Sequence, residues 1–150
     1  MKNRLLIFLL VIFLFTGCGK NELVCEKKSR NAGYDYRENY ELVYDDNSND
    51  LKEINLTMES IYNEFYTAEE ILDEYNEVYE YCDFYQSGSN NLIECKPILN
   101  GNILTVKIKI KVNKINDEMF ENMMYVTKEE LNDLKSTKKM LENVGYSCKY

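Results

Sequence analysis

Asn100-Gly101-Asn102-Ile103-Leu104-Thr105-Val106-Lys107-Ile108-Lys109-Ile110-Lys111-Val112 is the stretch from which the fold can be read. Val106, Ile108, Ile110 and Val112 alternate with Lys107, Lys109 and Lys111. A strand points successive side chains to opposite faces, so a period of two gives it one apolar and one charged face. Asn100-Gly101 just before it tolerates positive φ at both residues, the strongest short signal for a hairpin. The strand on the other side of that turn is Ile93 to Leu99, and its Pro97, which has no amide proton, predicts an edge or a bulge. An antiparallel pair with one dry and one wet face is the expected seed of the architecture.

Upstream, the same alternation recurs. Leu23 to Arg30 reads as a first strand ended by Asn31-Ala32-Gly33. Tyr36, Tyr40, Leu42 and Tyr44 then alternate with Arg37, Asn39, Glu41 and Asp45, and Ile54, Leu56 and Met58 with Asn55, Thr57 and Glu59. Thr67-Ala68-Glu69-Glu70 matches a capping box, in which the Thr hydroxyl accepts a free amide and the Glu reaches back. Ile71, Tyr75, Val78, Cys82 and Tyr85 follow as one helical stripe, which Ser87-Gly88-Ser89-Asn90-Asn91 ends. Downstream, Thr127-Lys128-Glu129-Glu130 opens a second helix carrying Leu131, Leu134, Leu141 and Val144, with Ser136-Thr137 as a point of break or restart. Gly145 is placed to cap it, and Tyr146 to Lys149 can return as a short extended segment. The order β-β-β-α-β-β-α, with strands in hairpins, predicts an α+β fold: an antiparallel sheet of about five strands with two helices packed on one face.

Composition narrows the chemistry. The chain has 150 residues, a formal charge of −8 and no histidine or tryptophan. Without imidazole, Ser-His-Asp and Cys-His catalysis and the usual histidine metal sites are excluded. No basic stripe with interleaved aromatics offsets the acidic charge, which excludes a nucleic-acid partner.

The amino terminus reads as a removable export signal. Lys2 and Arg4 make a short positive region, and Leu5 to Phe15 is an unbroken apolar run of 11 residues. That run is shorter than the roughly 17–25 residues a membrane-crossing helix needs, but it suits a signal peptide. Phe15-Thr16-Gly17-Cys18 resembles the lipobox of bacterial lipoproteins, which usually has Leu where this chain has Phe15. The resemblance implies diacylglyceryl transfer to the Cys18 sulfur, which gives it two acyl chains such as palmitate, and cleavage just before it. It divides the chain into a signal peptide (1–17), a lipidated cysteine with a short tether (18–22) and a single α+β domain (23–150). Loss of Lys2 and Arg4 would take the charge from −8 to −10. The four tether residues reach about 14 Å, so the domain is expected to rest on the membrane surface.

Cys25, Cys82, Cys95 and Cys148 remain, an even number with no CxxC. In an exported domain this predicts two disulfides, favoured as Cys82–Cys95 and Cys25–Cys148. Cys25–Cys82 with Cys95–Cys148 is the alternative, and four free buried thiols the third. The lipobox, Val24-Cys25 at the first strand, the acidic cysteine-bearing helix, the Lys-rich strand and the closing Gly145-Tyr146-Ser147-Cys148-Lys149 together resemble small bacterial lipoproteins with a YehR-like domain. That resemblance implies location and fold class, and no activity.

Three features could carry function. Asp45, Asn47 and Asn49 are spaced like the start of a calcium loop, but Asp50 and Leu56 stand where Gly and a bidentate Glu are needed, so a polar turn is expected. Glu69, Glu70, Asp73, Glu74, Glu77 and Glu80 form an acidic helix face, read as solvated or as a docking face for a basic partner or divalent cations. Lys107, Lys109 and Lys111, about 7 Å apart on one strand face, are read as the wet side of the sheet or as a face for an anionic ligand such as a phospholipid head group. No catalytic constellation, metal site or cofactor site is expected. The expectation is a non-catalytic, membrane-anchored extracytoplasmic lipoprotein that binds or supports an envelope protein or polymer. The alternative, a carboxylate-dependent enzyme acting on an envelope component, would need a concave pocket holding a carboxylate of shifted pKa.

Overall fold

A computed structural model describes residues 21–48 and 50–150. The expected export signal, Cys18 with the first part of the expected tether, and Asn49 lie outside the described residues. Among the described residues six strands form one antiparallel sheet: β1 (Glu22–Arg30), β2 (Tyr34–Tyr44), β3 (Leu51–Tyr62), β4 (Ile93–Asn100), β5 (Ile103–Ile110) and β6 (Ser147–Lys149), in the spatial order β4-β5-β3-β2-β1-β6. Helix α1 (Ala68–Gly88) joins β3 to β4, and α2 (Asp117–Met124), α3 (Lys128–Leu131) and α4 (Leu134–Asn143) lie between β5 and β6. The α+β class is as expected, with an added strand and two added helices among the described residues.

The register explains the single core. Leu23 stands opposite Leu42, Leu42 opposite Ile54, Ile54 opposite Ile110, and Ile110 opposite Ile93, so one apolar row crosses five strands. All five residues are buried, and they join Phe120 of α2 and Leu131 of α3 in one cluster. On the other face the rows are polar: Arg37 meets Glu59 at 3.2 Å and Lys109 meets Glu53 at 2.9 Å.

Four local expectations need correction. The β4–β5 turn is Gly101-Asn102, one residue later than expected, because Asn100 pairs with Ile103. Gly101 has φ +62°, and glycine at the first of two loop residues is the type II′ arrangement that matches strand twist. The expected count of five strands omitted β6, which pairs Ser147–Lys149 with Glu26–Val24 of β1. The expected second helix is two helices. Asp133 accepts the Ser136 amide at 2.7 Å and starts α4 afresh, so the restart precedes Ser136-Thr137. Helix α2 was not expected at all. Its signals are Asn116, which accepts the Met119 amide at 2.8 Å, and Phe120, Met123 and Met124 at helical spacing.

Both capping boxes form as read, with Thr67 and Thr127 each exchanging bonds with the Glu three residues on. Gly145 also acts as expected. With φ +96° it lets its own amide reach Glu142 and the Tyr146 amide reach Leu141, the paired bonds of a Schellman motif.

The structure holds the disulfides Cys25–Cys148 and Cys82–Cys95, with Cα separations of 4.1 and 5.0 Å. Cys25 and Cys148 are directly opposite on β1 and β6, so the bond fastens the short terminal strand to the sheet. Cys82–Cys95 ties α1 to the edge strand β4. Among the described residues no helix is long and apolar enough to cross a membrane.

Candidate functional site

The inner face of the sheet is not fully roofed. Between the C-terminal half of α1 and the end of α2 lies a cleft of about 350 Å³, at the small end of the roughly 300–1,000 Å³ of ligand pockets. Its floor is Leu56 and Met58 of β3 with Val106 and Ile108 of β5, alternate residues that the pleat turns to this side. Val78 and Tyr81 form one wall, and Met123, Met124 and Tyr125 the other. Glu38 and Tyr40 of β2 close one end.

The closed end is polar but satisfied. Tyr146, in the segment leading into β6, donates its hydroxyl to Glu38 Oε2 at 2.7 Å. Its ring packs edge-on against Tyr40, with centroids 5.6 Å apart, and the Lys27 ammonium lies over the ring, 5.2 Å from its centroid. Burial, reinforced by the Glu38 charge, pushes the Tyr40 and Tyr146 hydroxyls well above the ordinary phenol value, and Tyr36 beside them up to about 12. Among them, Tyr146 is the donor to Glu38. Glu38 is the one carboxylate among the described residues lining the cleft.

The open end is aromatic. Tyr125 is 88% exposed and has φ +57°, a left-handed conformation that a bulky side chain rarely adopts. Its amide bonds to Glu121 O at 2.8 Å and ends α2. Beside it on α1, Tyr81 is 44% and Phe84 71% exposed, and both rings pack on Tyr85, with centroids 4.6 and 5.2 Å away. Burial raises the Tyr81 hydroxyl to about 12. Exposed rings at an apolar cleft resemble the anchoring surfaces of binding sites more than a finished core edge.

The sequence-predicted features fall elsewhere. Lys107 and Lys109 lie on the wet face of β5, with Lys111 just past its end. Lys109 is held by Glu53, and Lys111 by Glu94 at 3.7 Å, while Lys107 stands opposite Thr57 and Lys96. Two of the three lysines are thus already matched by glutamates. Asp45 accepts the Asn47 and Ser48 amides at 2.9 and 3.2 Å, the bonds of a polar turn. No group of three or more His, Cys, Asp or Glu side chains among the described residues is placed to hold a metal. The cleft itself was not read from the sequence. Its one signal was the Met123-Met124-Tyr125 run, flexible apolar residues followed by an aromatic.

The chain is similar in fold to a protein from Streptococcus pneumoniae TIGR4 solved by NMR, with a TM-score of 0.50, 12% identity, and coverage of 85% of this chain and 83% of the other. No model of a protein family matches the chain, and no curated protein does either.

Proposed function

We propose that the protein is an extracytoplasmic lipoprotein of the YehR-like kind, held on the membrane by acyl chains on Cys18, and that its domain is a non-catalytic binding module of the cell envelope. The observation that carries the binding role is Tyr125: a large ring held in a strained backbone conformation and left in solvent at the mouth of an apolar cleft. A left-handed residue here ends α2 through its amide bond to Glu121 O, but a large ring is a costly choice for that cap, and strained residues cluster at functional sites. The export signal, the lipobox and two disulfides support the location. A partner at the membrane surface is an envelope protein or polymer that inserts an apolar group between α1 and α2.

The test has two parts. Intact mass of the membrane-extracted protein should begin at Cys18 and carry acyl mass, and Cys18→Ala should abolish both; a chain that still begins at Met1 refutes the anchor. A photo-crosslinking residue at position 125 should trap envelope material that the same residue at Lys107, on the opposite face, does not. Equal trapping from both positions refutes the cleft.

A further inference from the structure

The negative charge of the domain is unevenly distributed. On the wet face of the sheet acids are matched, as in Arg37–Glu59, Lys109–Glu53 and Lys111–Glu94. The two helices that wall the cleft are different. Helix α1 carries seven acidic residues and no basic one, and α2 carries three and none. Among the described residues, the one ion pair these helices make is Asp117 with Lys128, at 2.8 Å. Glu70 is engaged in its capping box. Glu74 and Glu77 lie one turn before the cleft residues Val78 and Tyr81, and Glu80 beside them, all exposed. Like charges three or four residues apart on a helix repel, so this arrangement leaves a repulsion that a cation would relieve.

Resting on the reading of the cleft as a binding site, we infer that its occupant is a basic amphipathic segment of another protein. The apolar side of that segment enters between α1 and α2, and its lysines or arginines lie along the acidic helices. Three observations favour this occupant. The acidic track follows a helix of 21 residues, about 31 Å long at 1.5 Å per residue, which a small cationic ligand could not span. Tyr125 at the mouth is 88% exposed, and Phe84, one helical turn after the wall residue Tyr81, is 71% exposed, so apolar rings stand in solvent beside the cleft as well as in it. Met58, Met123 and Met124 line the cleft, and unbranched thioether side chains adapt to differently shaped apolar partners. Charge also decides against the competitors. A second copy brings the same acidic helices, and an anionic lipid surface brings the same sign.

The probe is a labelled amphipathic Leu/Lys peptide, titrated against the full-length protein in phosphatidylcholine nanodiscs and read by fluorescence anisotropy over empty nanodiscs. Two controls are an Ala/Lys peptide of equal charge and a Leu/Glu peptide of equal apolarity. The Leu/Lys peptide should bind at least tenfold more tightly than either. Glu74→Gln with Glu77→Gln and Glu80→Gln, all at exposed positions, should weaken it at least tenfold, as should Tyr81→Ser with Tyr125→Ser. Equal affinity for the Ala/Lys peptide, or an unchanged affinity in the triple Gln variant, overturns the inference. Should the Leu/Glu peptide bind as well as Leu/Lys, with both lost in the Tyr variant, the basic partner falls but the cleft stands. Should the Tyr variant bind Leu/Lys like the parent, the cleft reading falls as well.

Discussion

Replacing Tyr125 by glycine should make the protein more stable and less able to bind. Tyr125 holds φ +57°, and the left-handed region costs a residue with a Cβ about 1–2 kcal/mol. Glycine adopts it freely, but its looser unfolded chain returns about 0.4–1 kcal/mol of that gain. The ring is 88% exposed, so its removal loses little packing. The Tyr125 amide bond to Glu121 O is a backbone bond and survives the change. The net expectation is a stabilisation of about 0.5–1 kcal/mol, or roughly 1–4 °C in Tm for a domain of this size. Tyr125→Ala separates the two contributions, since it removes the ring and keeps the strain; it should change stability by less than about 0.5 kcal/mol. Urea unfolding of the disulfide-intact protein, at constant m, measures both. If Tyr125→Gly is no more stable than Tyr125→Ala, the backbone is not strained as argued. If both lose more than about 1 kcal/mol, a loss typical of a side chain that packs, the ring belongs to the fold and is not reserved for a partner.

The two disulfides should differ in worth. In the chain-entropy account, closing loops of 123 and 13 residues stabilises by about 5 and about 3 kcal/mol, so Cys25→Ser/Cys148→Ser should lower the urea midpoint more than Cys82→Ser/Cys95→Ser; the reverse order would contradict this. At alkaline pH, Tyr36, Tyr40, Tyr81 and Tyr146 have folded pKa values raised by burial. The unfolded chain then loses its phenolic protons first, so stability is full below pH 10 and falls as pH climbs from there through 12; unfolding free energies followed across that range with tyrosinate absorbance would show it, and a flat profile would refute it. Thr67→Ala should cost about 1 kcal/mol by opening the capping box at the start of α1, and Thr67→Ser should restore most of it; equal losses in the two variants would mean that the hydroxyl bond to the Glu70 amide contributes nothing.

Much of this fold was legible because its signals are local. The alternation around Val106–Val112, both Thr-Glu capping boxes and the Gly145 cap need only neighbouring residues, and local geometry decided each of them. The same locality explains the errors. The Asn100-Gly101 turn slid by one residue because register depends on which side chains must reach the core, and only pairing with β3 settles that. Strand β6 is three residues long and has no pattern of its own; it is a strand because Cys148 meets Cys25 across it. The choice among the disulfide pairings was open for the same reason, since four cysteines in a sequence carry no distances.

The candidate site lay furthest from view. Glu38, Leu56, Tyr81, Ile108, Met123 and Tyr146 come from six different elements or loops, and each reads in sequence as an ordinary half-buried residue. Nor could the string of letters say which acids were already neutralised: Glu53, Glu59 and Glu94 meet cations brought up from elsewhere in the chain, while those of α1 meet none among the described residues. The sequence by itself determined the class of fold, the place of five strands and the long helix, and the absence of imidazole chemistry, because periodicity, capping and composition are properties of short stretches. Tertiary structure alone decided the cleft, the disulfide partners and the unbalanced acidic walls, because each is a relation between residues far apart in the chain that only packing brings within a few ångströms.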